Sequence, residues 1–364
     1  MISTESCEKN RGWESDEIFT AKTPRTPSRI EDRVCEDSKL ISKALDFSWL
    51  ARLWWRDVQR QGHLKLLSAL GNRLHAHLRK VVGFALGDGG RAFTLAPVNA
   101  APLGFFDSGV GGLTVVRAVQ ELLPAETILY LGDTARLPYG SKSPETIRQF
   151  ADEDVRFLIA RGVKAIVVAC NTATAHALPS LHEKYRIPIL GVIEPGVEAA
   201  LACPNAERIG IIATRGTIRS HAYQHALALR KTGLMIHGQA TPLLVPLIEE
   251  NWIDHPATRQ VLKTYLDPLV EKGIDTLMLA CTHYPLLIPV LQQLLPADVR
   301  LVDSATTCAE HLKKELTRLD MLDASDREGG LEIHLTDLSE EFELLARQFL
   351  KKSPGRIHRA VVGN

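Results

Sequence analysis

The chain has 364 residues, 45% of them hydrophobic, and its 43 Lys and Arg side chains balance 43 Asp and Glu side chains. This length is enough for two domains with their own cores, and the composition is that of an ordinary globular protein. The balanced charge gives no global field for a polyanion, so no nucleic-acid partner is predicted. We find no secretory signal, no apolar run that could span a bilayer and no metal-type pairing among the six cysteines. These features predict a cytoplasmic protein with free thiols and no transmembrane segment.

The amino-terminal extension, residues 1–101, differs from the rest of the chain. It begins with a polar stretch of mixed charge, which predicts a disordered tail. Across residues 47–84 the composition becomes apolar and basic, and Leu67, Leu70 and Leu74 follow helical spacing. We interpret this segment as one or two helices that pack on the main body. A basic amphipathic helix that contacts a membrane surface or a partner is one alternative, and a translation start further downstream is another.

The remainder of the chain alternates apolar strands, glycine turns and helices. Within residues 102–195 the stretches TILYLGD and KAIVVAC are typical of buried strands, and Ser143 followed by Pro144 forms a good N-cap and first turn of a helix. Alternation of this kind predicts an α/β fold with parallel sheets covered by helices on both faces. We expect residues 102–195 to form the first domain, which residues 306–350 or so would complete.

The same pattern then starts again, which predicts a second unit. The segment RIGIIATRGTIRS restates PLGFFDSGVGGLT, and KGIDTLMLACTH restates RGVKAIVVACNT almost position for position, with Cys170 and Cys281 in equivalent places. We therefore predict two pseudo-symmetric flavodoxin-like domains whose parallel sheets face each other across a cleft. The second domain would span residues 196–305, and a basic tail would occupy 351–364.

Cys170 and Cys281 each end one of the repeat-related strands. A thiol just before a helix lies near the positive end of the helix dipole, so we expect a lowered pKa that favours the thiolate. Either cysteine alone could be a small core residue, but a repeated pair, each followed by a capping Asn or Thr, indicates a functional role. Ligands of such sheets bind outside the carboxyl ends of the strands, where both thiols are expected.

Three uses of the two thiols compete. A disulfide is disfavoured in a reducing compartment. A zinc site would use Cys170, Cys281 and His283, but the Cys-x-His spacing is tight and no fourth ligand is evident. In the third use, one thiolate removes a proton from a substrate carbon and the opposing thiol delivers one to the other face, which inverts a stereocentre. We favour this use, because pseudo-symmetry suits the mirror-related demands of two enantiomers.

Six motifs occur in order between residues 102 and 345: FDSGVGGLTV, GDTARLPYGSKS, ACNTATA, ATRGT, PLLVPLIEE and ACTHYPLL. Together they resemble the glutamate racemases of the aspartate/glutamate racemase family. The resemblance implies a cofactor-independent isomerase that converts L-glutamate to D-glutamate for bacterial peptidoglycan, with glutamate as its small-molecule partner. It also implies a cell-wall precursor as a candidate regulator, acting through the amino-terminal extension. A homodimer is one of the assemblies that the sequence leaves open.

The resemblance also assigns roles to individual residues. Cys170 and Cys281 would be the two proton donors and acceptors, the first acting on the D enantiomer and the second on the L. Asp107 would assist Cys170, whereas His283 and Glu249 would assist Cys281. Asp107 and His283 would also contact the substrate. The other anchoring residues offer hydroxyl, amide or backbone N–H groups: Ser108, Tyr139, Gly140, Asn171, Thr172, Thr214, Thr217 and Thr282.

Other functions remain as alternatives. The turn DSGVGG suggests a nucleotide site, with Asp133 roughly where a ribose-binding acid would lie, but Thr114 replaces the third glycine of the pattern and Asp107 would repel a pyrophosphate. Asp133 also matches an acid of the racemase family, and a turn or cap aspartate is its structural alternative. A relative that racemises aspartate is the closer rival, although the CTH triplet and the LPYGS loop favour glutamate. The last alternative is a ligand-binding module without catalytic activity.

Overall fold

The computed structural model describes residues 98–339 and 341–363. The predicted disordered tail and the amphipathic helical segment therefore lie outside the described residues. Within the described ranges no helix is long and apolar enough to cross a bilayer.

The described residues alternate strands and helices. In chain order the strands are β1 (Leu103–Asp107), β2 (Ile128–Gly132), β3 (Ala165–Val168), β4 (Ile189–Gly191), β5 (Arg208–Ala213), β6 (Met235–Ala240), β7 (Thr276–Ala280), β8 (Arg300–Asp303), β9 (Leu331–Leu335) and β10 (Ile357–Arg359). The α-helices are α1 (Leu113–Leu122), α2 (Pro144–Ile159), α3 (Asn171–Lys184), α4 (Ile193–Ala202), α5 (Arg215–Ser220), α6 (Ala222–Arg230), α7 (Leu244–Glu249), α8 (Pro256–Val270), α9 (Ile288–Leu294), α10 (Ser304–Arg318) and α11 (Phe342–Leu350).

The strands form two sheets in which every neighbouring pair is parallel. The first sheet has the order β10-β9-β2-β1-β3-β4 and the second the order β6-β5-β7-β8. Strands β1, β2, β3 and β7 are buried at every position, because helices cover both faces of each sheet. The predicted α/β fold with two parallel sheets is thereby confirmed.

One hydrophobic core joins the two sheets. Successive side chains of a strand point to opposite faces, so Phe105 of β1 faces this shared core whereas Phe106 faces a separate core beneath α2 and α3. From the second sheet, Leu277 and Leu279 of β7 enter the shared core, and α10 packs against both α1 and α4. The shared core fixes one sheet relative to the other, and with it the strand ends that face the cleft.

Helix α2 begins as the sequence predicts. The Ser143 hydroxyl accepts a hydrogen bond from the Thr146 N–H, and Pro144 occupies the first turn. This cap holds the start of α2 directly after the loop that contains Tyr139.

The carboxyl-terminal residues extend the first sheet. Within the segment predicted as a basic tail, 351–364, Ile357–Arg359 pairs with β9 in parallel register and Ala360 is buried. A strand of three residues is too short to give a recognisable hydrophobic pattern, which is why the sequence does not reveal it. The domain boundaries at residues 195 and 305 stay a prediction.

Candidate active site

A cavity of about 350 Å³ opens between the carboxyl ends of the two sheets. This volume lies at the small end of the range for ligand pockets, roughly 300–1,000 Å³. Nearly all the predicted site residues line it: Asp107, Ser108, Tyr139, Gly140, Cys170, Asn171, Thr172, Thr214, Glu249, Cys281, Thr282 and His283. The strand ends thus bring together residues from six separate motifs.

Cys170 lies on the first side of the cavity, at the N-cap of α3, and only 6% of its surface is exposed. Its Sγ is 3.8 Å from Ser108 Oγ, and the Asp107 carboxylate, which accepts the Gly112 N–H at 2.8 Å, lies beside it. Burial, and then the Asp107 charge, raise the pKa of the Cys170 thiol well above its usual value. The lowered pKa expected from the helix dipole is therefore wrong, because desolvation outweighs the dipole at this buried position.

Asp107 is itself almost fully buried. Burial raises the pKa of its carboxyl, and the nearby His283, the Gly112 N–H and the hydrogen bond with Cys170 oppose that rise. A carboxyl group whose pKa is raised in this way is a better proton acceptor than an exposed aspartate. Asp107 is therefore suited to exchange a proton with the Cys170 thiol.

Cys281 lies on the second side of the cavity. It follows β7 and precedes a short 3-10 helix, Tyr284–Leu287, whose N-cap is His283. Cys281 Sγ is 3.9 Å from His283 Nδ1, and His283 Nε2 is 2.9 Å from Glu249 Oε1. Burial alone would lower the pKa of His283, but the hydrogen bonds with Cys281 and Glu249 raise it to about 10. His283 is thus an imidazolium at neutral pH, with one N–H available to each partner.

Three threonine hydroxyls form a triangle at the cleft. Thr172 Oγ1 lies 2.9 Å from Thr214 Oγ1 and 3.1 Å from Thr217 Oγ1, and the last two are 3.1 Å apart. Thr172 belongs to α3, whereas Thr214 and Thr217 belong to the second half of the molecule. Thr172 and Thr214 line the cavity, but Thr217 stands behind them and does not. Hydroxyl groups can rotate, so Thr172 and Thr214 can turn from each other towards a ligand carboxylate.

The side-chain amide of Asn171 is oriented by the second half of the molecule. Its Oδ1 accepts a hydrogen bond from the Tyr223 hydroxyl at 2.5 Å, and its Nδ2 donates to Ser304 Oγ at 3.4 Å. Tyr223 lies on α6 and Ser304 begins α10. The first turn of α3 is therefore held against the opposite half, next to Cys170.

The glycine turn after β1 brings the two halves into close contact. A Cβ atom on Gly111 would lie 2.4 Å from both His283 Nδ1 and Thr282 Oγ1, so only glycine fits this position. The neighbouring Thr114 donates its hydroxyl hydrogen bond to the Thr282 carbonyl at 2.8 Å. The turn DSGVGG therefore packs one half against the other, which is a different role from the nucleotide-binding alternative.

Comparison with known proteins identifies the family. The model of the Asp/Glu/Hydantoin racemase family matches residues 112–312, more than half of the chain. The chain belongs to this family. A glutamate racemase of Neisseria gonorrhoeae is 44% identical over 263 residues, which are 72% of this chain and 97% of that protein. The resemblance inferred from six motifs is confirmed, and with it the prediction that the chain is a racemase, an isomerase.

Solved structures of glutamate racemases agree with this assignment. The enzyme of Francisella tularensis in complex with D-glutamate superposes with a TM-score of 0.68 at 34% identity, over 72% of this chain and 98% of that one. The enzyme of Escherichia coli, in complex with L-glutamate and the activator UDP-MurNAc-ala, has a TM-score of 0.60 at 29% identity, over 72% of this chain and 100% of that one.

The racemase cavity also contains residues that sequence reasoning missed. The further lining residues include Leu137, Arg215, Thr241, Pro242 and Val245. Thr241 follows β6 as Thr214 follows β5, and the two strand ends are paired in register, so a threonine at equivalent strand ends is a signal that could have found it. Thr241 Oγ1 lies 2.6 Å from the Tyr284 hydroxyl, which ties this strand end to the residues after Cys281.

The geometry distinguishes among the three uses of the thiols. Cys170 and Cys281 are both free, so they form no disulfide with each other. Across residues 98–339 and 341–363, no group of three or more His, Cys, Asp or Glu side chains converges to hold a metal ion. The Nε2 atom of His283 is directed at Glu249 instead. The arrangement of each thiol beside its own titratable partner favours the acid/base use.

Proposed function

We propose that this chain interconverts L- and D-glutamate by proton transfer through Cys170 and Cys281, without a cofactor. The observation that carries the proposal is that both thiols line one cavity between the two sheets, each with its own titratable partner. With a thiol on each side of the cavity, one group can remove the α-proton while the other delivers a proton to the opposite face, which inverts the stereocentre. Family membership, and the complexes of related enzymes with D- and L-glutamate, support glutamate as the substrate.

The two sides take turns in the reaction. When D-glutamate binds, the Cys170 proton passes to Asp107, and the resulting thiolate removes the α-proton. The Cys281 thiol then delivers its own proton to the other face, and the imidazolium of His283 stabilises the thiolate that remains. The reaction of L-glutamate is the same sequence in reverse: the Cys281 thiolate beside the His283 imidazolium removes the α-proton, the Cys170 thiol delivers its proton to the other face, and Cys170 then regains a proton from Asp107. Exchange with solvent through Asp107 and His283 restores the starting protonation after each turnover.

The carbanion that forms at the α-carbon must be stabilised by the cavity itself. Hydrogen bonds to a substrate carboxylate become stronger as negative charge develops, and they are most effective where water is excluded. Donors of this kind are present around Cys170, where the first turn of α3 presents backbone N–H groups and Ser108, Asn171 and Thr172 present side-chain donors. The long helix α3 therefore provides part of the carboxylate site as well as one thiol.

The substrate assignment is tested with the purified full chain and no added cofactor. We expect L-glutamate to yield D-glutamate, measured by chiral chromatography, and L-aspartate to react at least about a hundredfold more slowly, because its side-chain carboxylate is one methylene too short for the same anchors. If L-aspartate reacted faster than L-glutamate, aspartate would be the substrate instead of glutamate. Binding of glutamate without any racemisation would instead favour a binding module.

We further propose that the D-glutamate is made in the cytoplasm for peptidoglycan synthesis and that a cell-wall precursor regulates its formation. The complex of the E. coli relative with an activator, UDP-MurNAc-ala, supports regulation of this kind. The test compares the full chain with a chain starting near Ala100, each with and without that precursor. Equal activity in all four cases would remove regulation from the proposal, and sedimentation of the same samples would test the homodimer.

A further inference from the structure

A buried cluster of charged side chains lies beside the cavity and takes no part in the proton transfers proposed above. Arg136 contacts three carboxylates: Asp133 Oδ2 at 2.7 Å, Asp154 Oδ1 at 3.2 Å, and Glu153. The side chains of Asp133 and Asp154 are completely buried, and that of Arg136 is 19% exposed. Burial of two carboxyl groups lowers stability unless they are paired and hydrogen-bonded, so the cluster is expected to hold something in place.

The group that it holds is the hydroxyl of Tyr139. This hydroxyl is hydrogen-bonded to Asp133, and its oxygen lies 3.0 Å from Asp154 Oδ2. Burial, and then the neighbouring Asp133 carboxylate, raise the pKa of Asp154 well above its usual value, and the Arg136 guanidinium opposes that rise. The single O–H of Tyr139 can donate to either of these two carboxyl groups. The Tyr139 side chain is thus fixed at its tip by two carboxyl groups.

The backbone at Tyr139 forms a loop that contacts the opposite half of the molecule. The loop is the 3-10 helix Tyr139–Ser141, all three residues of which line the cavity. A Cβ atom on Gly140 would lie 2.8 Å from Thr214 Cβ, and one on Gly216 would lie 3.0 Å from the Gly140 carbonyl oxygen. The position of this loop against Thr214 therefore determines the width of the cavity.

We propose that Arg136, Asp133 and Asp154 are positioning residues that anchor the Tyr139–Ser141 loop against Thr214 and so set how tightly the cavity binds its amino-acid substrate. The inference rests on the proposed function, since it concerns the affinity of that same cavity. The anchor acts through Tyr139, whereas the two cysteines and their partners lie on other elements. Loss of the anchor should consequently raise KM for both enantiomers more than it lowers kcat.

Arg136→Met tests the anchor directly, because it keeps the length of the side chain and removes the cation. We expect KM to rise about tenfold with kcat lowered less than about threefold, and Arg136→Lys to recover part of the loss because it restores the charge without the forked geometry. The matched control is Arg156→Met. Arg156 is 55% exposed on α2 and pairs with Asp152 at the surface, so its loss should leave both constants unchanged.

A pair of substitutions at Asp154 gives an independent test that does not require Arg136→Met to fold. Asp154→Asn keeps the size of the side chain and a carbonyl oxygen that can accept the Tyr139 O–H, and it should change KM less than about threefold. Asp154→Ala removes this hydrogen-bond partner of Tyr139 and should raise KM about tenfold, like Arg136→Met. Equal KM values for the folded Asn and Ala variants would overturn the proposal.

Hydrogen exchange of the backbone amides tests the loop anchor independently of the proposed function. Without substrate, the backbone amides of Tyr139–Lys142 should exchange faster in Arg136→Met and Asp154→Ala than in the wild type, whereas those of Cys281–Tyr284 should not change. If the wild type does not racemise glutamate, the proposed function is wrong. The exchange rates, measured without substrate, would still test whether the anchor holds the loop. Unchanged exchange of Tyr139–Lys142 in folded variants, or a lower kcat with KM unchanged, would overturn the anchor.

Discussion

The two sides of the cavity are related by the repeat but differ in their chemistry. Cys170 lies beside the carboxylate of Asp107, whereas Cys281 lies beside the imidazolium of His283. In the repeat, the counterpart of Asp107 is Ala213 and that of His283 is Thr172. A carboxylate accepts a proton and an imidazolium donates one, so the sides begin the reaction with opposite tendencies. The duplicated strands therefore determine where the thiols lie, and the positions at which the two copies differ determine the titratable partner of each thiol.

The largest expected effect comes from removal of either thiol. Cys170→Ala and Cys281→Ala should each lower racemisation by at least about a hundredfold, because acid/base groups of this kind contribute roughly 10²–10⁴-fold. The residual exchange of the α-proton with solvent should be confined to opposite enantiomers in the two variants. Cys203→Ala, which removes a free thiol away from the cavity, is the control. A loss below about tenfold in either thiol variant would contradict the two-base account.

A smaller effect is expected from the carboxylate of the first side. Asp107→Asn should lower racemisation about thirtyfold, since an amide cannot accept the Cys170 proton although it can still accept the Gly112 N–H. Solvent exchange of the α-proton of D-glutamate should slow by a similar factor, and that of L-glutamate should slow less. Equal slowing of both half-reactions would show that the two sides are not chemically distinct.

On the second side, Glu249→Gln should lower kcat/KM for racemisation about tenfold. The loss should be the same in both directions, because the two enantiomers have the same free energy and the ratio of the two kcat/KM values is therefore fixed. Loss of the Glu249 charge should also lower the pKa of His283 from its value of about 10. The alkaline limb of the kcat/KM profile should therefore move to lower pH. Glu250→Gln, which changes the exposed neighbouring glutamate, is the matched control. A pH profile identical to that of the wild type would show that Glu249 does not influence the pKa of His283.

The smallest effect concerns stability. The pKa of His283 is raised from 6.5 to about 10 on folding, so its contribution to stability is fully present below about pH 6.5 and is lost as pH rises through about 10. The difference in unfolding free energy between the wild type and His283→Gln, measured with urea, should accordingly shrink between pH 7 and pH 10.5. A difference that is constant across this interval would contradict the imidazolium assignment.

The sequence predicts the parts of the site that recur in the chain. Cys170 and Cys281 could be placed at strand ends because the surrounding strands are repeated, and the glycine at position 111 could be placed in a turn because of its neighbours. The pKa of Cys170 could not be predicted, since it depends on burial beside Asp107, and a linear pattern does not show burial. The same limit applies to β10, whose three residues are recognisable as a strand only once β9 is beside them.

The loop anchor shows a second limit of sequence reasoning. Arg136 and Tyr139 lie in one motif, but Asp154 lies on α2. Thr336, whose hydroxyl donates to Asp133 Oδ1 at 2.9 Å, follows β9 and is 203 residues from Asp133. Side chains that converge from three elements leave no spacing signal in the chain. Asp133 could be recognised as an acid of the family, but its partners emerge only from the fold.

The claim that two thiols act on opposite faces of one carbon is tested most directly by racemisation of L-glutamate in heavy water, without cofactor and at low conversion. Transfer through two thiols should give D-glutamate with one deuterium at its α-carbon while the recovered L-glutamate remains protiated, because the proton removed by one thiol is not the one that the other delivers. Protium retained in the first D-glutamate formed would show that a single group carries the proton across, and would rule out transfer through two thiols.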